Sequence, residues 1–205
     1  MAILSVSNAD HCPEVKHSSV TPLFDGLFKQ SLDYSVRQLS RLFNTQLSFA
    51  LINLQALPLA LVLQQIEDDK RFQNGVHSQI SGDLAGEMFL FFPRESAYRL
   101  VQLGLKRSFN SPFLNRLEES VLNELTNILI NSFWENFSRK LNTRWWISPP
   151  ATLHRPQNVL GRIVREKHPE GTVFLAEILI INTQTPLMLF FLPSQETLAK
   201  FAPFF

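Results

Sequence analysis

The chain alternates between apolar positions at helical spacing and shorter apolar runs that are typical of strands. From Thr21 to Asn44, leucine, valine and phenylalanine recur at roughly helical spacing, which predicts a helix with one buried face. The apolar, partly alternating segment 47–66 contains Pro58 and predicts strands joined near that proline. Residues 1–20 have little periodic apolar content, and we expect them to form a mobile tail.

The middle of the chain predicts a β-hairpin followed by a helix. Residues 76–81 and 87–92 have strand character and flank a glycine-bearing turn at 82–86. Pro93 ends the second strand, because proline cannot donate a hydrogen bond to a strand ladder. A helical pattern then covers residues 94–107.

The second half opens with a helical pattern that is unusually long for a globular protein. Ser111 as N-cap and Pro112 at the first helical position predict where it starts, and the pattern continues to about Asn142. A short strand at 145–147 is stopped by two prolines. Downstream we predict strands at 159–166, 172–182 and 186–192 and a closing helix at 194–201.

Two short segments of the first half recur in the second half at nearly the same distance. Residues 40–45 read SRLFNT and match 138–143, SRKLNT, at an offset of 98 residues. Residues 88–93 read MFLFFP and match 188–193, MLFFLP, at an offset of 100 residues. The nearly equal offsets and the equivalent predicted elements indicate an internal duplication.

The predicted fold class is α+β. We place the first repeat at about 21–108 and the second at about 109–205, sharing one largely antiparallel sheet about a pseudo-twofold axis. Two long helices are expected to pack on that sheet. Because no linker rich in proline, glycine or serine separates the repeats, we expect a single domain at 21–205.

Composition argues against several classes of function. The 19 basic and 18 acidic residues nearly cancel, so no net field attracts nucleic acid or an anionic membrane. The single cysteine, Cys12, excludes an intrachain disulfide. The start has no secretory signal pattern, and no apolar run reaches the roughly 18 residues that a spanning helix needs. We therefore expect a soluble, cytoplasmic protein.

The familiar catalytic motifs are missing from the sequence, which directs attention to the long helix. It has no phosphate-binding loop, dinucleotide fingerprint, nucleophile elbow or HExxH motif, and its five histidines show no metal-ligand spacing. Ser120, Glu124 and Asn127 lie at i, i+4 and i+7, within about 60° of one another on one polar stripe. The opposite, sheet-facing side is predicted to hold Leu114, Leu117, Val121, Leu125, Ile128 and Leu129.

The polar stripe has an ordinary interpretation as well as a functional one. Any helix packed on a sheet has a polar outer face, so the spacing alone also fits a solvated surface. Asparagine is roughly 0.6 kcal/mol worse than alanine in a helix interior, which favours a role for Asn127. Trp134 lies about 40° from the direction of Ser120. It either covers a neighbouring loop or anchors a docked partner.

The spacing Ser120-x3-Glu124-x2-Asn127-x22-Pro150 matches a known active-site pattern in full. The pattern is [Asp/Ser]-x3-Glu-x2-Asn-x22-Pro, and it marks the CheC, CheX and FliY phosphatases of bacterial chemotaxis. The resemblance extends from about Leu23 to Phe201. It includes the hairpin at 80–86, the turn at 148–150 and the internal duplication.

The resemblance implies hydrolysis of the phosphoaspartate of a CheY-like response-regulator receiver domain. Glu124 would pair with the receiver's active-site lysine, and Asn127 would orient a water in line with the phosphorus. Ser120 and Pro150 would shape the site. Because an acyl phosphate has a good leaving group and the receiver holds Mg²⁺, this chain would need neither a covalent nucleophile nor a metal of its own.

The sequence departs from the family pattern at several positions. Thr126 replaces a glycine that is frequent before the asparagine, and Asn131 replaces a small residue, so bulk on that face is expected to hinder docking or change which receiver is accepted. In the first repeat Gly26, Lys29 and Ile52 stand opposite the acid, the amide and the proline. We therefore expect one active site, in the second half.

Two functions other than catalysis remain open at this point. One is a non-catalytic module that binds or localises a receiver, or a scaffold in a flagellar or signalling complex. The other is a protein whose partner engages the rest of its surface, like the deamidase partner that some family members bind.

Overall fold

The computed structural model describes residues 20–68, 74–106, 114–154, 159–162 and 171–204. Within these ranges the helices are α1 (Pro22–Phe43), α2 (Leu59–Asp68), α3 (Arg94–Leu105), α4 (Arg116–Leu141) and α5 (Gln195–Phe201). The strands are β1 (Phe49–Pro58), β2 (Asn74–Gly82), β3 (Gly86–Phe92), β4 (Trp145–Ile147), β5 (Ala151–His154), β6 (Thr172–Ile180) and β7 (Thr185–Pro193). Residues 1–19 of the predicted tail, and the predicted helix start at Ser111 and Pro112, lie outside the described residues.

The strands of the described residues form one antiparallel sheet that both halves of the chain share. Its order is β1-β6-β7-β3-β2-β4, and β5 also pairs with β2. The order is unchanged when each strand is exchanged for its counterpart in the other repeat: β1 for β4 and β5, β2 for β6, and β3 for β7. At each side of the sheet, the edge strand of one repeat therefore pairs with a strand of the other repeat. The predicted α+β fold is confirmed.

The pairing of β3 with β7 places a pseudo-twofold axis at the centre of the sheet. Met88 lies opposite Phe191, and Phe91 lies opposite Met188. Because 88 and 188, like 91 and 191, are equivalent positions of the predicted repeat, the two pairs exchange under a half-turn. The motif matches at an offset of 100 residues are thus related by symmetry in the sheet.

The ends of the two long helices repeat the same hydrogen-bonded cap. Asn44 after α1 and Asn142 after α4 are both left-handed, with φ of 50° and 52°. The backbone N–H of Thr45 donates to the Ser40 carbonyl at 3.0 Å, and that of Thr143 donates to the Ser138 carbonyl at 3.0 Å. Asparagine is favoured at such positions because it tolerates the left-handed region better than most residues. The two repeated segments therefore form the same kind of helix end.

The sheet buries both of its faces against helices. The larger core lies between the sheet and α1, α3, α4 and α5, and includes edge-to-face contacts of Phe24 with Phe137 and Phe201. The smaller core covers the other face with α2 and the helical residues 159–162. It is formed by Leu59, Val62, Phe89, Phe91, Leu153, Leu160, Val173, Leu175, Met188, Phe190 and Leu192.

Two predicted strands are helical, at equivalent places in the repeat. The strand expected after Pro58 is the helix α2, and residues 159–162, in the strand expected at 159–166, are also helical. Leu59 and Leu160 insert into the smaller core, so each segment packs against the sheet as a helix. The prediction was wrong because a short apolar run does not distinguish a buried strand from a buried helix.

The remaining predictions of elements agree with the structure within a few residues. The hairpin, the helices at 21–44, 94–107 and 194–201, and the strands at 145–147, 172–182 and 186–192 are confirmed. In the described ranges, no helix is both long enough and apolar enough to cross a membrane.

Candidate functional site

Helix α4 begins with a capping box that fixes the start of the candidate site. The Asn115 side chain accepts hydrogen bonds from the backbone N–H groups of Leu117 at 3.0 Å and Glu118 at 3.1 Å. In return the Glu118 carboxylate accepts from the Asn115 N–H at 2.8 Å. The described helix thus has its N-cap at Asn115, three residues after the first helical position predicted at Pro112.

The three motif residues of α4 lie on its outer side. Ser120 and Glu124 are exposed, and Asn127 is half-buried. Among the described residues, neither Glu124 nor Ser120 has a hydrogen-bond or ion-pair partner, so the carboxylate is available to an incoming cation. Residues three apart on a helix have Cβ atoms about 5–6 Å apart, so the Glu124 and Asn127 side chains emerge side by side.

Asn127 is held by another amide one turn further along the helix. The Asn131 Nδ2 donates to the Asn127 backbone carbonyl at 2.9 Å and to the Asn127 Oδ1 at 2.6 Å. The sequence drew attention to Asn131 only as a bulky departure from the family pattern. The spacing of two asparagines at i and i+4 is the signal that could have indicated this pair.

Pro150 lies in a break between two pieces of one edge strand. Ile147 in β4 lies opposite Ile80, and Ala151 in β5 lies opposite His77. The edge strand therefore advances by four residues where β2 advances by three. The extra residue is a β-bulge within the segment 148–150. Proline suits such a place because it has no N–H to leave unpaired.

A side-chain hydrogen bond brings the segment after Pro150 to α4. The Thr152 hydroxyl donates to the Asn123 Oδ1 at 2.5 Å, and Asn123 precedes Glu124 on the helix. The Ser148 hydroxyl accepts from the backbone N–H of Gln79 at 2.9 Å, which ties the other end of the break to β2. The proline segment is therefore fixed between the sheet edge and the start of the site helix.

Trp134 is a core residue, and the proposed anchoring role is wrong. Its side chain is 1% exposed, its Nε1 donates to the Met88 Sδ at 2.7 Å, and its ring meets Phe191 edge-to-face with centroids 4.8 Å apart. Trp134 does not cover a surface loop either, which was the other interpretation of its position. The direction that points outward at Ser120 points into the protein at Trp134, because α1 and the sheet enclose the C-terminal half of α4.

The apolar face of α4 is also displaced from the one predicted. Leu117 is 56% exposed, whereas Leu122 is 2% exposed and faces the core. Thr126 is 1% exposed, and its hydroxyl donates to the carbonyls of Leu122 and Asn123 at 2.9 and 3.0 Å. Thr126 therefore adds no bulk to the outer face, contrary to the expectation that it would hinder docking there.

The corresponding place in the first repeat carries different chemistry. Lys29 pairs with Asp25 at 2.6 Å within α1, and Gly26 has no side chain. Ile52 is 6% exposed and is the extra residue of a bulge in β1, where the register with β6 shifts between Leu51 and Asn53. The bulge is therefore shared by both repeats, while the carboxylate and the amide occur together in the second.

Among the described residues, no group of three or more histidine, cysteine, aspartate or glutamate side chains is arranged to hold a metal ion. The site on α4 instead offers one carboxylate, one hydroxyl and one oriented amide. Such a set can pair with a cation and donate or accept hydrogen bonds.

The sequence matches no protein-family model and no curated protein. The fold is similar to that of several solved structures. FliY of Thermotoga maritima has 17% identity and a TM-score of 0.70, over 89% of this chain and 95% of that chain. The CheX-CheY-BeF3-Mg²⁺ complex of Borrelia burgdorferi matches with 11% identity and a TM-score of 0.54, over 84% of this chain and 98% of that chain.

A third similar structure is a complex of FliG and FliM. A chain of the FliG–FliM complex of H. pylori has 10% identity and a TM-score of 0.63, over 86% of this chain and 95% of that chain. At these identities the likeness establishes the shared fold. The resemblance that the motif indicated is thereby confirmed at the level of the fold.

Proposed function

We propose that this protein accelerates hydrolysis of the phosphoaspartate of a CheY-like receiver domain. The observation that carries the proposal is the carboxylate of Glu124, which has no partner in the described part of the chain, beside the amide of Asn127 on the outer face of α4. That face can approach a second protein without unfolding any element, because the rest of the helix is packed against α1, α3 and the sheet.

Glu124 is the docking residue in this mechanism. Its carboxylate is exposed, and pairing with a lysine of the receiver breaks no ion pair to a described residue. Docking removes water from between the two charges, and the lower local dielectric strengthens their attraction. The ion pair fixes the position of α4 over the phosphorylated aspartate.

Asn127 is the catalytic residue, and it acts on water. Its amide holds a water molecule whose oxygen attacks the phosphorus in line, while the bond between the phosphorus and the aspartate oxygen breaks. The products are the receiver's carboxylate and inorganic phosphate, and the proton lost from water leaves with phosphate or solvent. An amide suits this role because it exchanges hydrogen bonds without ionising.

The receiver supplies the rest of the chemistry. Its Mg²⁺ neutralises charge on the phosphoryl oxygens, and its carboxylate is a good leaving group. Ser120 and Pro150 support the site. Ser120 lies at the N-terminal end of the polar stripe, and Pro150 acts through the bulge beside Asn123. The similar fold of a CheX structure solved with CheY, BeF3 and Mg²⁺ supports a receiver as the partner.

A second candidate function is binding without turnover. The fold matches a chain of the FliG–FliM complex with a TM-score of 0.63, higher than the 0.54 for the CheX complex. In this alternative the outer face of α4 holds a receiver or a component of a flagellar or signalling complex, and no phosphate is released.

The two candidates are separated by the decay of a phosphorylated receiver. A receiver from the same genome is phosphorylated with a small phosphodonor and Mg²⁺, and phosphate release is followed with this protein at one-twentieth of the receiver concentration. If this protein is a phosphatase, each of its molecules should hydrolyse many phosphorylated receivers. Asn127→Ala should lose about 100-fold in kcat and retain receiver binding.

A matched control checks that the loss belongs to the site. Glu196→Gln changes an exposed carboxylate on α5 and should release phosphate at the wild-type rate. If the wild-type protein binds a phosphorylated receiver and leaves its decay unchanged, the binding function replaces the enzymatic one.

A further inference from the structure

Asn131 lies one turn beyond Asn127 on the half-buried side of the stripe. Its Nδ2 is 2.9 Å from the Asn127 backbone oxygen and 2.6 Å from the Asn127 side-chain oxygen. A single amide nitrogen carries two hydrogens, so it can satisfy both acceptors at once. The hydroxyls of Thr126, Ser132 and Ser138 also bond back to this helix, and they reach backbone carbonyls.

The backbone carbonyl determines the orientation of both side-chain amides. A carbonyl oxygen only accepts, so the atom of Asn131 that approaches it must be the nitrogen. The same nitrogen then donates its second hydrogen to the Asn127 side chain, and the atom it meets there must be the oxygen. The carbonyl end of the Asn127 amide is thereby held along the helix, and its NH₂ group is left without a partner among the described residues.

This arrangement presents a donor where the reaction needs one. The free NH₂ group of Asn127 can donate to the oxygen of the attacking water, which keeps its other lone pair for the phosphorus. The held oxygen retains one lone pair and can accept a hydrogen from the same water. An amide that is already oriented loses less side-chain freedom when the receiver docks.

We propose that Asn131 is a positioning residue, which fixes the Asn127 amide with its nitrogen facing the docked receiver. This inference rests on the proposed phosphatase function and adds to it a residue outside the family motif. It also reverses the expectation from the sequence that Asn131 hinders docking. The side chain folds back onto Asn127 instead of projecting from the helix.

The test compares Asn131→Ala with Asn131→Asp. Alanine removes both donated hydrogen bonds and is a better helix former, so the variant should fold. Aspartate has nearly the same shape and no nitrogen, so it can only accept when ionised, which favours the opposite orientation of the Asn127 amide. Glu135→Gln, an exposed change one turn further along α4, is the matched control and should match the wild type.

The readouts separate positioning from docking and from folding. We expect Asn131→Ala to lower kcat about tenfold with KM unchanged, and Asn131→Asp to lower it at least as much. The side-chain NH₂ resonances of Asn127, assigned by their loss in Asn127→Ala, should shift in both variants and stay in place in Glu135→Gln. Thermal unfolding should show that all three variants are folded.

Two results would overturn the inference in distinguishable ways. If the wild type accelerates decay and Asn131→Ala keeps its kcat, or loses activity only through KM, Asn131 has no positioning role and the phosphatase function stands. If the wild type accelerates decay of no receiver that it binds, the proposed function fails, and the role of Asn131 in it fails too.

Discussion

Ile52 and Pro150 occupy equivalent β-bulges, one at each edge of the shared sheet. Ile52 is the extra residue where β1 loses register with β6, and Pro150 lies in the extra-residue segment between β4 and β5. The bulge is therefore a property of the duplicated fold, whereas the proline is specific to the half that carries Glu124 and Asn127. The fold and the site place different demands on this one position.

This relationship predicts that Pro150→Ile folds and loses part of its activity. The first repeat already accommodates isoleucine at its bulge, and losing proline costs about 0.4–1 kcal/mol through the unfolded chain. The segment that Thr152 ties to Asn123 becomes less restricted, so phosphate release should slow severalfold. Denaturant unfolding and receiver decay measure the two effects. A drop in stability of several kcal/mol would show instead that proline is required by the fold.

Glu124→Gln should reduce the salt dependence of receiver binding. In the proposed complex the carboxylate attracts a lysine of the approaching receiver, and added salt screens that attraction. The neutral variant should bind more weakly at low salt and approach the wild-type Kd at high salt. Titrations at several ionic strengths check this. Parallel salt dependences in the two proteins would mean that Glu124 does not meet a charge on the receiver.

Trp134→Ala should destabilise the protein by about 3–5 kcal/mol, because it leaves a cavity in the larger core. Trp134→Phe keeps most of the volume and loses the hydrogen bond to the Met88 sulfur, so its cost should be much smaller. Denaturant unfolding gives both values. A stable Trp134→Ala variant with weakened receiver binding would contradict the buried position.

Two helical glycines should respond to alanine in opposite directions. A Cβ at Gly104 in α3 would lie 2.6 Å from the Val121 Cγ1 of α4, and a Cβ at Gly26 in α1 would meet no atom within 4 Å. We expect Gly26→Ala to stabilise by about 0.5–1 kcal/mol through helix propensity. We expect Gly104→Ala to destabilise, since valine is stiff at χ1 and cannot turn away freely.

The double variant Gly104→Ala/Val121→Ala is the control for the clash. Removing the valine methyls should recover part of the stability lost in Gly104→Ala, beyond what the separate effects predict. Additive losses would show that the close approach of α3 and α4 at this point is not what limits the alanine.

Local signals were sufficient for much of the fold and for the outline of the site. The turn at 82–86 and the repeated segments at the ends of the long helices each depend on a few adjacent residues, and each was confirmed. The spacing of Ser120, Glu124 and Asn127 placed all three on one side of a helix, because helical geometry is the same in every context.

Features that depend on residues distant in the chain could not be predicted from the sequence. Periodicity reports which direction of a helix is apolar, and it does not report how many surfaces enclose that helix. Trp134 shares the outward direction of Ser120 in the sequence and is buried, because α1 and the sheet surround the second half of α4. The apolar run of α2 was ambiguous because a short apolar run fits both a strand and a helix. The structure shows that Leu59 and Val62 face the smaller core while Leu61 is 50% exposed. The orientation of Asn127 by Asn131 depends on distances between atoms within one helical turn. The i, i+4 spacing of the two asparagines makes a contact possible, and the tertiary structure shows which atoms meet.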